Sequence, residues 1–242
     1  MQGSRRRSPF TAHLVNSVTD GGAPHVVDDM RRAILAGDEP PGTLIPIDAV
    51  AQFFGCSQIP VREALKVLIG EGLVDHVPRV GYSVAQLTFA EFSELYDVRQ
   101  ALESSALRAA APRATPADHD VVRRTHEAMA DAVASGDERA YHRASRLFHL
   151  ALIEPAGMAR LTHMYTAAWN MTEPARPMAR VDDHGRAAFH HEHDRMLGAF
   201  VAGDPETLVA ESDAHYAHLK AEIARLRDDP ALFRSAPAIS LP

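Results

Sequence analysis

The sequence predicts a mainly α-helical protein, with three helices and a small β-hairpin wing (a winged helix-turn-helix) followed by an antiparallel all-helical bundle of about six helices. Three observations carry that expectation. Two short amphipathic segments, 47–54 and 58–70, are separated by a tight turn containing Gly55. Directly after Gly72 come two β-type segments, Leu73-Val74-Asp75-His76-Val77 and Tyr82-Ser83-Val84, joined through Pro78-Arg79-Val80-Gly81. Beyond residue 88, helix start and stop signals recur without any stretch that alternates as a strand does.

Each element has its own warrant. Residues 1–23 mix Arg, Ser, Thr and Gly with little periodicity and read as a flexible arm. From His25 to Leu35, the residues Val26, Val27, Met30, Ala33 and Ile34 recur at helical spacing, and Gly37 with Pro40-Pro41-Gly42 ends the run. A second helix over Ile47–Phe54 stops at Gly55, and a third over Gln58–Gly70 has Ser57 in the N-cap position. Thr88 with Glu91 makes a capping box, which opens a helix through Phe92, Leu95, Val98, Leu102 and Leu107. Later starts are marked by Thr115-Pro116, Asp137, Asp182/Asp183 and Asp204-Pro205, and stops by Ser135-Gly136, Gly157 and Gly203. The predicted organisation is an arm (1–23), a winged domain (24–86), a helical domain (87–230) and a C-terminal tail (231–242).

Composition narrows the function classes. A chain of 242 residues with 46% hydrophobic content is long enough for two cores. It has no apolar run long enough to span a bilayer, and no apolar signal region follows Arg5, Arg6 and Arg7. The reading is a cytoplasmic protein without a membrane partner. Cys56 is the single cysteine, which excludes an intrachain disulfide or a cysteine-built zinc site; its apolar surroundings suggest a buried, inert thiol. The net charge is −7, and residues 1–86 hold 8 Lys+Arg against 9 Asp+Glu. Any nucleic-acid binding must therefore use a local cationic face.

Such a face is present in the third helix. Val61, Ala64, Leu65 and Leu68 fall on one side at i, i+3, i+4 and i+7, while Gln58, Arg62 and Lys66 repeat every four residues on another. An apolar stripe to seat the helix, opposed by a polar and cationic stripe, is what entry into a major groove requires. Arg62 suits bidentate contact with guanine or a phosphate, Gln58 an adenine edge, and Lys66 a phosphate. By periodicity alone, an ordinary amphipathic helix with a solvated face explains the pattern better than a reading helix does.

The wording of the whole stretch resembles the GntR family of bacterial regulators. Met30-Arg31-Arg32-Ala33-Ile34-Leu35-Ala36-Gly37, Pro41-Gly42-Thr43-Leu44, Pro60-Val61-Arg62-Glu63-Ala64-Leu65 and Glu71-Gly72-Leu73-Val74 follow in the family's order, ending at the wing glycine, Gly81. The resemblance implies that Arg62, Arg79 and Gly81 contact double-stranded DNA, and Ser57, Gln58, Pro60 and Lys66 belong to the same reading face. The chain departs from the family at Gln58, where arginine is usual, and at Asp48, where a basic or polar residue is frequent. Arg5, Arg6 and Arg7 could add backbone or minor-groove contacts.

Eleven of the 14 histidines lie beyond residue 86. His142, Ser145 and His149 share a helical face, and His193 and His215 follow on later helices. Three imidazoles from separate helices could build a metal site, although a hydrogen-bonded or surface histidine is the commoner case for each. The segments Leu95-Tyr96-Asp97-Val98-Arg99, Leu102-Glu103, Phe148-His149-Leu150-Ala151-Leu152 and Glu192-His193 resemble the FCD ligand-binding domain of the FadR subgroup. That resemblance implies a divalent metal (zinc, nickel or manganese) on His149, His193 and His215, with Ser145 standing where the family has an aspartate. His142 and His218 are further candidates. Arg99, with Ser145 and His142, is the candidate group for a carboxylate effector; alternatively Arg99 pairs with Glu103 four residues on. Trp169, Tyr165 and Met171 either line that cavity or pack the core.

The reading that follows is a homodimeric transcription regulator, a repressor, whose affinity for its operator responds to a small organic acid. Two alternatives stay open. The segment His191-Glu192-His193-Asp194-Arg195 nearly matches the H-E-x-x-H pattern of a metal-dependent hydrolase, with Arg195 in place of the second ligand. Asp48 and Gln58 could also mark a ligand-binding protein that has lost DNA binding.

Overall fold

A computed structural model describes residues 9–15, 25–37 and 39–235. Of the predicted arm, residues 1–8, with Arg5, Arg6 and Arg7, and residues 16–23 lie outside the described residues, as do residues 236–242. The chain packs as two units: residues 1–92 with 170–176 and 228–242, and residues 93–169 with 177–227.

The first unit contains α1 (Pro9–Ala12), α2 (Val26–Leu35), β1 (Leu44–Ile45), α3 (Ile47–Phe54), α4 (Gln58–Gly70), β2 (Val74–Val77) and β3 (Gly81–Val84). The strands form an antiparallel sheet in the order β1-β3-β2, with Ile45 opposite Tyr82 and His76 opposite Tyr82 on the other side. Met30, Ile34, Val50, Phe54, Val61, Leu65, Leu68 and Leu73 interlock beneath it as one core. Gly55 ends α3 in the left-handed conformation at φ 63°, which a side chain would resist, and so sets the sharp turn into α4. The apolar periodicity read from the sequence is therefore the packing interface itself.

Five details differ from the sequence expectation. Within the predicted arm, Pro9–Ala12 forms a helical turn and Phe10 is fully buried in the core, because an aromatic side chain gains more from burial than a polar arm loses by ordering. Cys56 is only half-buried, at the edge of that core. Ser57 occupies the N-cap with extended backbone, yet its side chain makes no capping hydrogen bond. Of the predicted tail, residues 231–235 are held: Leu232 and Phe233 are buried, and Arg234 donates to Gln86 O at 2.7 Å and to Glu91 Oε1 at 2.7 Å. The packing divides at Phe92–Ser93 where the sequence reading divided at 86, since Phe89 and Phe92 stack edge-on against Phe233.

Beyond the sheet run six α-helices: α5 (Phe89–Ala110), α6 (Pro116–Ser135), α7 (Glu138–Ile153), α8 (Ala159–Thr172), α9 (Asp183–Val201) and α10 (Pro205–Ala224). Their starts are chemically marked. Thr88 N donates to Glu91 Oε2 at 2.7 Å while Glu91 N donates to Thr88 Oγ1 at 3.2 Å, a reciprocal capping box. Thr115 and Asp118 repeat the device, and Asp137, Asp182 and Asp204 cap α7, α9 and α10. Leu107, Val122, Met129, Phe148, Leu152, Tyr165, Met196, Phe200 and Leu208 form the core of the second unit. Among the described residues, no helix is long and apolar enough to cross a membrane.

Because Phe10 is part of the first unit's core, Phe10→Ala should lower the stability of that unit by about 3–5 kcal/mol, the usual cost of truncating a buried phenylalanine. Denaturant unfolding of the full chain, read by backbone exchange in α2–α4, checks this; an unchanged midpoint would return Phe10 to the arm.

Candidate functional site

Two sites emerge, one in each unit. In the first, Val61, Ala64, Leu65 and Leu68 are buried and seat α4, leaving Ser57, Gln58, Pro60, Arg62 and Lys66 exposed on its other side. The β2–β3 hairpin stands next to that stripe. Between them an open groove of about 620 Å³ is bordered by Asp48, Gln58 and Arg62 on one flank and His76, Arg79 and Tyr82 on the other. Arg79 is exposed at the hairpin tip with φ 69°, and Gly81 follows at φ 119°. A Cβ on Gly81 would meet nothing within 4 Å, so the backbone conformation, and not lack of room, calls for glycine.

The two positions at which the chain departs from the family are bonded to one another. Gln58 Nε2 donates to Asp48 Oδ1, and Gln58 Oε1 accepts from Arg62 Nη2 at 3.4 Å. Asp48 thereby fixes the orientation of the Gln58 amide, which presents its oxygen to the guanidinium. Lys66 Nζ lies 2.8 Å from Glu63 Oε1 on open surface, a pairing weak enough to exchange for a phosphate. His76 and Tyr82 pair across the hairpin with ring centroids 4.5 Å apart. Sequence reasoning missed that wall of the groove, though the cross-strand register could have suggested it.

In the second unit, His149 on α7, His193 on α9 and His215 on α10 converge. All three are buried, and the ring nitrogens they offer lie within 4.8 Å of one another. Carboxylates orient two of the rings: His149 Nδ1 donates to Glu103 Oε1 at 2.7 Å and His215 Nδ1 donates to Glu192 Oε2 at 2.7 Å. That leaves the Nε2 lone pairs of both facing inward. His193 Nε2 is 3.2 Å from His149 Nε2, while Tyr141 Oη lies 3.5 Å from His193 Nδ1. This geometry assigns the proton of His193 to Nε2, donating to His149, with Tyr141 donating to Nδ1.

For His193 and His215 the electrostatics favour the neutral ring. Burial pushes His193 well below its ordinary pKa, helped by repulsion from His215 and His149; burial also lowers His215, against the opposing pull of Glu192. Neutral imidazole is the ligating form. Glu103 behaves in the opposite way. Burial raises its carboxyl pKa, but His149 together with the hydroxyls of Tyr216 and Tyr165 outweighs this and holds it at about 2. Tyr165 Oη and Tyr216 Oη donate to Glu103 Oε2 at 2.7 and 2.6 Å.

The remaining candidates are placed as follows. Ser145 and His142, one and two turns before His149 on α7, are half-buried. Among the described residues, the converging group includes neither His142 nor His218; His218 Nδ1 donates to Glu192 Oε1 at 2.6 Å, sharing that carboxylate with His215. Arg99 is buried, with its guanidinium carbon 3.6 Å from the Trp169 ring centroid and 4.6 Å from that of Tyr96. Tyr165 and Trp169 both pack in the helical core, so they serve as core and as the aromatic seat of Arg99 together. Met171 belongs to the first unit. Glu103 was expected only as a partner of Arg99, and Tyr165 only as a cavity or core residue; that Glu103 and Glu192 orient histidines, and that Tyr216 joins them, was missed, because nothing in a linear pattern distinguishes a carboxylate that orients a histidine from one on a solvated face.

A winged helix with an exposed cationic stripe, joined to a helical ligand domain, defines a class: bacterial DNA-binding transcription regulators. The chain belongs to the gntR family of bacterial regulatory proteins, which it matches over residues 23–84, and carries an FCD domain over residues 94–218. It is 32% identical over 188 residues, 76% of this chain and 80% of the other, to a probable D-xylose utilization operon transcriptional repressor of Paenarthrobacter nicotinovorans. Over 79 residues, 33% of this chain and 32% of the other, it is 38% identical to the gluconate operon transcriptional repressor of Bacillus subtilis. Its fold matches that of Escherichia coli McbR/YncC at a TM-score of 0.75 with 22% identity, covering 84% of this chain and 97% of that one. These relatives are regulators and not enzymes, which sets the hydrolase reading aside.

Because Glu103 accepts from three donors, Glu103→Gln should destabilise the second unit by about 1.5–3 kcal/mol, the range for a bond to a charged group, whereas Tyr165→Phe should cost about 1 kcal/mol. Paired denaturant titrations check the order; equal effects would mean that the carboxylate's charge is immaterial.

Proposed function

We propose that the protein is a homodimeric repressor that pairs two winged domains on a pseudo-palindromic operator and releases it when a small carboxylate binds in the helical domain. The observation that carries the DNA half is the seating of α4: its apolar stripe is spent in the core, so Gln58, Arg62 and Lys66 are presented outward beside the hairpin. In this reading Arg62 contacts a base edge or phosphate, Arg79 and Gly81 approach the backbone, and Ser57 and Pro60 shape the helix entrance. The names of the relatives, repressors of sugar-acid and sugar operons, support repression as the direction of control.

For the effector half, the donor set fits a divalent zinc, nickel or manganese ion. His149 and His215 hold inward lone pairs through their carboxylate partners, and His193 joins them by moving its proton from Nε2 to Nδ1, toward Tyr141. Such an ion, when bound, supplies open coordination positions for a carboxylate. Ser145 provides no carboxylate of its own where the family has one, which leaves more of the ion's coordination to water or effector. Arg99, with Ser145 and His142, supplies the polar groups around the effector's acid.

Two experiments test the halves separately. Using DNA from immediately upstream of the protein's own gene, Arg62→Ala should weaken binding by about 1–3 kcal/mol and relax specificity at one position. Arg79→Ala should weaken binding evenly and reduce the salt slope by about 1. Salt-insensitive, sequence-blind retention by both variants would refute the reading. For the metal, elemental analysis of untagged His149→Ala/His193→Ala protein should show one divalent ion per chain fewer than wild type; equal contents would remove the ion from the mechanism.

A further inference from the structure

A second group of ligand-type side chains lies on the seam between α6 and α9. His190 and Asp194 stand four residues apart and therefore on one side of α9, and His126 reaches them from α6. The ligand atoms these three offer lie within 4.8 Å of one another. We infer that His126, His190 and Asp194 form a second divalent transition-metal site, separate from the three-histidine centre.

The state of the two imidazoles points to a ligand. His126 Nε2 and His190 Nδ1 are buried and make no hydrogen bond among the described residues, although His126 is only 9% exposed. His190 Nδ1 in particular is a buried nitrogen without a hydrogen-bond partner among the described residues, which is costly and uncommon. Moreover, Asp194 Oδ1 comes within 2.9 Å of His126 Nε2 without forming a hydrogen bond, so the carboxylate approaches off the in-plane N–H direction. An ion placed among the three would take up both imidazole lone pairs and the carboxylate charge at once.

The chemistry selects the class of ion. Two imidazoles and a carboxylate are borderline donors that favour zinc and its divalent neighbours over magnesium or calcium. The His126 and His190 rings are stacked, with centroids 4.4 Å apart and an interplanar angle of 19°. Ligands on a tetrahedral ion sit about 3.4 Å from one another when the bonds are about 2.05 Å. Reaching that spacing needs the rings to tilt out of the stack. Asp194 is half-exposed, which opens the site to solvent and leaves a coordination position for water. His191 Nδ1 also lies 3.4 Å from Asp194 Oδ2 on the exposed side.

The site is not an extension of the first. The two groups share no ligand residue, and the Phe148 ring packs near both, 6.0 Å from His126 and 5.1 Å from His193. Both groups take residues from α9, so an ion on His190 and Asp194 would pin to α6 the same helix that delivers His193.

The test titrates zinc into chelator-stripped, untagged full-length protein in competition with a chromophoric chelator. Wild type should take up two ions per chain, and Asp194→Asn and His190→Gln one each, with the lost site weakened at least tenfold. His149→Ala/His193→Ala should retain one ion, which disappears when Asp194→Asn is added. Circular dichroism confirms folding of each variant; should His190→Gln unfold, Asp194→Asn at the half-exposed position decides. Wild-type stoichiometry and affinity in Asp194→Asn, or no ion at all in His149→Ala/His193→Ala, would overturn the second site. A single wild-type ion that survives His149→Ala/His193→Ala and is lost in Asp194→Asn would uphold this site while removing the three-histidine centre.

Discussion

The carboxylate of Glu103 accepts hydrogen bonds from three helices at once, from His149 on α7, Tyr165 on α8 and Tyr216 on α10. A wholly buried charge survives only when its lone pairs are filled, and here they are filled by groups that hold the centre of the unit in register. The position of His149 follows from that bond, and the direction of its Nε2 follows from its position. Arg99, one turn earlier on α5 and lying against Trp169, adds a positive charge near the carboxylate.

The first unit is organised by division of labour around one helix. α4 commits Val61, Ala64, Leu65 and Leu68 to the core, so its remaining side chains are presented by a rigid support. On that support the Asp48–Gln58–Arg62 chain changes what the surface offers: a carboxylate beside the groove adds negative charge, while the amide and the guanidinium are held in a fixed mutual orientation. Asp48, Gln58 and Arg62 are thus joined in one hydrogen-bonded chain along the groove.

Much of the fold was legible because its signals are local. The capping residues at Thr88, Thr115, Asp137, Asp182 and Asp204 announce helix starts in the sequence, and the stripe through Val61–Leu68 announces a buried face. What could not be read is what depends on partners distant in the chain. Phe10 looked like part of a polar arm because its burial is supplied by residues far along the sequence, and β1, two residues long, exists only through pairing with β3. Likewise the three histidines were traceable through a family pattern, but the bonds that tie Glu103 to His149, Tyr165 and Tyr216, and Glu192 to His215, were not. Periodicity places a residue on a face; it does not say which other helix faces it.

The hairpin tip shows the same chain working against itself. Arg79 holds φ 69°, a conformation that costs a residue with a side chain about 1–2 kcal/mol, where glycine would be at ease. Glycine there would relax the backbone and erase the charge; asparagine would ease the backbone and still be neutral; lysine would keep the charge and the strain. Backbone comfort and cationic reach cannot be improved together at this position. A search that ranks variants by thermal resistance alone would therefore select wings that are sturdier and electrostatically mute.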